Sequence, residues 1–271
     1  MPTPRQILAT ERRNTRLRFS RSRVVEREFQ SQLSSVGRGI GNIIKGFLEA
    51  GKVTDADGLD EAMSAYSLLL APWAAAVSAR MQAQVSQGDK KAWTQLSRSL
   101  GSNLHRLIES APLGAVLKGL QEEQVALITS LPTEAAQRVH QLTREAIVSG
   151  RRAEDIAREL ARSGQVTVNR AKLIARTEVA RTASMLTQTR AMHIGSTGYF
   201  WETVGDSDVR PAVNLSPNEK AKFIGSHRAL QGKYFEWNNP PVSGQRGERA
   251  APGQIYNCRC WPSPLLPDMY L

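Results

Sequence analysis

The chain has 271 residues, 41% of them hydrophobic, a formal charge of +11 and a pI near 10.1. That is apolar material for one large or two modest domains, so disorder throughout is excluded, and with two cysteines so is a disulfide framework. The positive balance favours polyanionic surroundings, nucleic acid or an acidic protein, and is unusual for a cytoplasmic enzyme.

Residues 1–30 hold eight arginines against three glutamates, with apolar positions too sparse for a buried helix. They read as an exposed basic arm that orders on a partner, with Arg12, Arg13, Arg16, Arg18, Arg21 and Arg23 as candidate contacts to a protein or to DNA phosphates. No run approaches the roughly 18 consecutive apolar residues of a membrane helix, and residues 1–20 lack the apolar core of a secretory signal. The expectation is synthesis in a cytoplasm and no membrane partner.

From Val24 to Ala50 helical character grows, but Gly37, Gly39 and Gly41 predict a hinge or a break. Residues 31–149 read as a helical region, with Leu59–Gln87, Ala92–Glu109 and Leu113–Val148 as its helices. Pro72 and Pro132 are expected to break or kink it, with Thr133 opening the next helix. Ala153, Ile156, Ala157, Leu160 and Ala161 then follow helical spacing, ended by Ser163-Gly164. Thr167 precedes a second helix from Val168 to about Ala191.

After Gly195 aromatic residues cluster and glycines and prolines recur every few positions. Short strands are predicted at Tyr199–Val204, Lys233–Trp237 and Ile255–Trp261. The fold class is α+β: a mainly helical N-terminal region, then a small C-terminal module over 150–265 of two helices packed with short antiparallel strands, and a tail at 266–271.

Cys258 and Cys260, one residue apart, are poorly placed for a mutual disulfide. With His227 they supply three ligands of the types zinc takes, and Asp206 or Asp208 is a candidate fourth. The other reading is a thiol pair on a terminal strand, both sulfurs facing the interior and Arg259 facing away. A cysteine nucleophile with His227 as base needs an orienting group and an oxyanion site that sequence does not show. His105, His140 and His193 lie in helical patterns without ligand spacing. Glu178 and Arg181 stand three apart on one helix face, which fits a plain surface pair. The alternative is a buried network in which Arg176 or Glu178 holds Asp206, Arg210 or Arg259. No phosphate-binding glycine loop, dinucleotide fingerprint or zincin motif is present. A nuclease would hold a divalent cation with Glu202, Asp206, Asp208 and His227, or use Glu178, Asp206 and His227 catalytically.

The ordered set Ala175-Arg176-Thr177-Glu178, Trp201, Gly205-Asp206, Val209-Arg210, His227 to Gly232, Trp237 to Pro240, Pro252-Gly253 and Asn257-Cys258-Arg259-Cys260 resembles the bacteriophage Mu protein F-like family of minor head proteins, over about residues 150–262. Asp208 stands where that family tends to show an arginine, and Pro211 to Ser226 is an insertion, read as a polar surface loop. The resemblance implies a non-enzymatic virion protein at the portal vertex, built in the host cytoplasm. Its implied partners are the portal protein, the major capsid or scaffold protein, and packaged DNA. It also favours the polar network of Arg176, Glu178, Asp206, Arg210, His227 and Arg259. No cofactor is required by this reading, and zinc is the metal that His227, Cys258 and Cys260 would take.

Overall fold

The computed structural model describes residues 19–20, 22–52, 55–99, 104–149, 153–206, 209 and 226–267. Arg12, Arg13, Arg16, Arg18, Arg21, Asp208 and Arg210 lie outside the described residues, as does the 211–225 part of the insertion. In chain order the elements are α1 (Arg23–Glu49), α2 (Ala56–Ser99), α3 (His105–Glu109), α4 (Leu113–Val148), α5 (Ala153–His193), β1 (Gly198–Thr203), α6 (His227–Leu230), β2 (Tyr234–Glu236) and β3 (Cys260–Pro264). The α+β class read from the sequence holds.

The described residues form two compact units. One takes those of Val24–Met81 and Gly119–Arg176; the other takes those of Met1–Arg23, Gln82–Lys118 and Thr177–Leu271.

In the first, helical unit, Phe29, Leu33, Val36, Ile40 and Ile44 recur every three or four residues and are buried along α1. Residues 23–30 are therefore helix rather than exposed arm, with Val25 and Phe29 inside. The hinge expected at Gly37, Gly39 and Gly41 is absent, because these glycines answer to packing. A Cβ on Gly37 would sit 2.9 Å from the Val168 backbone, and one on Gly164 would sit 2.8 Å from the Gly41 Cα. Gly164 thus marks a close helix approach, not a helix end. α5 runs unbroken through Ser163-Gly164, and Thr167 donates its hydroxyl to the Ser163 carbonyl at 2.9 Å instead of capping a new helix.

The prolines are likewise carried inside helices, Pro72 in α2 and Pro132 in α4. Around Pro132 the hydroxyls of Thr129, Ser130 and Thr133 bond the carbonyls of Val125, Leu127 and Ser130. Thr133 lies within α4 and starts no new helix. Averaged over 18 residues, the stretch Ala56–Arg98 reaches a mean hydropathy of 1.3, which by length and composition alone suffices to cross a membrane, although uninterrupted apolar runs stay short. Alanine supplies much of that apolarity, and Leu68 and Leu69 on α2 are exposed.

The second unit contains the sheet, of order β2-β1-β3 with both pairings antiparallel. In register, Tyr199 faces Phe235 and Pro264, while Trp201 faces Pro262 and Thr203 faces Cys260. The first two predicted strands are found nearly where expected, and the third begins later, at Cys260. The reason is that residues 251–257 turn twice, with Gln254 N–H bonding Ala251 O and Cys258 N–H bonding Ile255 O, both at 3.1 Å. Tyr199, Trp201, Trp237, Trp261, Cys258 and Cys260 share one core with Trp93, Leu96, Leu104 and Ile194. Trp237 packs against Tyr199 at 4.5 Å between centroids, the rings tilted by 37°, and donates its indole N–H to Ser196 Oγ. Phe19 also belongs to this core, edge-on to Trp93 at 4.9 Å. A buried ion pair, Asp89 with Arg190, lies in the same unit, and Thr187 donates to the same carboxylate at 2.5 Å.

Candidate functional site

The site is built on the short helix α6 and the turn before β3. Ser226 caps α6, its Oγ accepting the Ala229 N–H at 3.3 Å, which places His227 at the first helical position with its ring inside. His227 is 1% exposed and lies edge-on to Trp201, the ring centroids 5.1 Å apart. Its Nε2 is 3.0 Å from the Ser243 carbonyl. A carbonyl only accepts, so Nε2 carries the proton and Nδ1 presents its lone pair. That lone pair points at both cysteines, 3.5 Å from Cys258 Sγ and 3.4 Å from Cys260 Sγ.

The cysteines arrive there by turn chemistry. Gly253 holds φ +92°, and a Cβ on it would meet the Ala180 carbonyl at 3.0 Å. From this position its N–H donates to Cys258 Sγ at 3.3 Å. Asn257, at φ 55°, turns the chain back while its N–H bonds Thr177 Oγ1 at 3.1 Å. Both thiols face the interior, 1% and 3% exposed, while Arg259 between them points away and pairs with Asp206. Of the two sequence readings, inward thiols with an outward arginine are found, and the same atoms converge as a possible ligand set.

Burial pushes both thiols up, but the two separate. At Cys258 this is outweighed by a hydrogen bond from Cys260, by the neighbouring His227 ring and by the Gly253 N–H, which hold the thiol well below its usual value. Burial and the neighbouring Cys258 drive Cys260 well above.

Asp206 and Arg259 pair, and Arg228 Nη2 donates to the Asp206 carbonyl at 2.6 Å. Arg176 belongs to the helical unit, where its Nε donates to Glu26 at 3.3 Å. Glu178, two positions further along α5, faces another way and is 2% exposed, so it does not form the solvated surface pair. Arg23 is exposed at the start of α1. Sequence reasoning missed Gln231, whose amide ties β1 to α6: its Oε1 accepts from Thr203 N and Oγ1 at 2.7 Å, and its Nε2 donates to buried Glu202 at 2.5 Å. It also missed the Ser243 carbonyl. No residue type signals a backbone acceptor.

Chemically, a buried imidazole lone pair facing two sulfurs can accept a proton or a soft metal ion. Thiols so deeply buried offer no approach for an attacking substrate. Among the described residues, the potential ligands that converge are His227, Cys258 and Cys260, within 4.8 Å of one another, and neither Glu178 nor Asp206 is in that group. The His227 nitrogens face the Ser243 carbonyl and the two thiols.

Against known proteins, the chain is 28% identical over 187 residues to a protein of Haemophilus influenzae described as uncharacterized, covering 67% of this chain and 38% of the relative's length. It therefore spans well under half of that relative. No solved structure matches. Residues 137–262 match the family described as phage Mu protein F like protein, a span that takes in all of α5, the whole sheet apart from the end of β3, and the His227, Cys258 and Cys260 cluster. Over that segment the chain is similar to the phage Mu protein F-like family.

Proposed function

We propose that this chain is a non-enzymatic minor head protein that acts at the portal vertex, docking the portal protein and the capsid or scaffold protein. The observation that carries this reading is the family match over residues 137–262. Supporting it, the +11 charge suits an acidic protein surface or packaged DNA. The basic residues Arg12, Arg13, Arg16, Arg18, Arg21 and Arg23 make the contact in this proposal. Leu68 and Leu69, 77% and 75% exposed, offer the helical unit an apolar contact as well.

The test is co-expression with the portal protein encoded nearby, followed by co-sedimentation across a salt series. The expected result is a portal-bound fraction that falls as salt rises. Deleting residues 1–18, which spares the buried Phe19 and all of α1, should weaken that fraction while leaving the protein folded. No association at low salt by the folded chain would overturn portal docking. Undiminished binding by the truncated chain would overturn the role of the arm.

A further inference from the structure

We propose that His227 Nδ1, Cys258 Sγ and Cys260 Sγ supply three of the four positions of a tetrahedral zinc(II) site. This stands apart from the head-assembly reading and does not need it. The argument is metric. With Zn–N bonds of about 2.05 Å and Zn–S bonds of about 2.3 Å, a regular tetrahedron has N···S edges of about 3.6 Å and an S···S edge of about 3.8 Å. The structure holds its two N···S distances at 3.5 and 3.4 Å, and all three ligand atoms lie within 4.8 Å of one another. Two sulfurs stand at nearly equal range from one imidazole lone pair, an arrangement that suits a shared central ion.

The surroundings are those of a metal ligand set. The Nε2 proton of His227 is given to the Ser243 carbonyl, which fixes the tautomer that frees Nδ1 and orients the ring. The Gly253 N–H donates to Cys258 Sγ, as suits a thiolate. Bound as two thiolates, the sulfurs balance the charge of one divalent ion, and whatever protons they carry leave on binding. The three donors come from the start of α6, from the turn after Asn257 and from the first residue of β3. The ion would therefore staple together a sheet whose strands are three to six residues long.

The test uses the full chain, reduced, incubated with zinc and freed of excess by gel filtration. About one zinc per chain is expected, removed by a strong chelator. The cobalt(II)-loaded chain should show intense visible ligand-field bands of tetrahedral geometry and a near-ultraviolet thiolate-to-cobalt charge-transfer band. Cys258→Ser and Cys260→Ser should each weaken that band, and His227→Cys should retain metal and strengthen it. Because such variants can fail to fold, the unmodified chain decides the question. A folded, reduced chain that retains no zinc, or a cobalt spectrum that is octahedral and lacks the charge-transfer band, would overturn the proposal. An unchanged band in folded Cys258→Ser would overturn it too.

Discussion

The close approach of α1 and α5 at Gly41 and Gly164 predicts opposite responses to one chemical change. Glycine to alanine in a helix interior is worth about 1 kcal/mol of stabilisation from propensity alone. At Gly119, inside α4, an added methyl would meet nothing within 4 Å, so Gly119→Ala should gain that amount in full. At Gly164 the same methyl lands 2.8 Å from the Gly41 Cα. Ordinary carbon contacts lie at about 3.5–4.0 Å, so the helices must separate by roughly 1 Å or strain. Overpacking of this kind costs about 1–3 kcal/mol. Gly164→Ala should therefore fall below Gly119→Ala in stability by about 1–3 kcal/mol. For a chain of this size that separates the two melting temperatures by roughly 2–12 °C. Thermal unfolding followed by circular dichroism reads the difference, and Gly41→Ala, where the contact is 3.2 Å, should fall between them. If Gly164→Ala stabilises as much as Gly119→Ala, the packing account of these glycines is wrong.

Removing Asp89 leaves Arg190 as a buried cation, 4% exposed, so Asp89→Ala should cost about 3–5 kcal/mol in denaturant unfolding; a loss under 1 kcal/mol would show that water reaches the guanidinium. By contrast, the Asp206 and Arg259 side chains are 33% and 19% exposed, and Asp206→Asn should change stability by less than about 1 kcal/mol, measured the same way. A hydrogen bond from Lys90, with smaller help from His105, holds the Glu109 carboxyl below its ordinary 4.5. A depressed carboxylate stabilises the fold above that value and loses its contribution as acid protonates it. Lys90→Met should return Glu109 to the ordinary range in a carboxyl NMR titration, and an unmoved midpoint would remove Lys90 as the cause.

Legibility in the sequence followed the range of each signal. Aromatic clustering marked β1 and β2 because a strand's own residues carry its signal. The glycines of α1 and the Ser163-Gly164 pair misled because their role is set by a partner across the interface: Val168 and Gly41 lie far away in the chain. Pro132 misled because local hydroxyls on Thr129, Ser130 and Thr133 bond helix carbonyls around it. At the site, His227, Cys258 and Cys260 were picked out by type, and the turns that bring them together were foreshadowed by Pro252-Gly253. Their relation was not readable, since it depends on the Ser243 carbonyl and the Gly253 N–H, which every residue but proline possesses. The Glu26–Arg176 pair spans 150 positions and left no trace in either neighbourhood.

The prolines of β3 set a limit on how this sheet can behave among many copies of itself. Leu265 N–H bonds the Gly198 carbonyl, so the odd-numbered residues of β3 direct their donors at β1 and the even-numbered ones look outward. Pro262 and Pro264 occupy those outward positions, where they leave nothing to donate. The opposite margin, β2, is three residues long. The β3 rim is blunted by its prolines and the β2 rim by its length, so both give a poor template for a further strand.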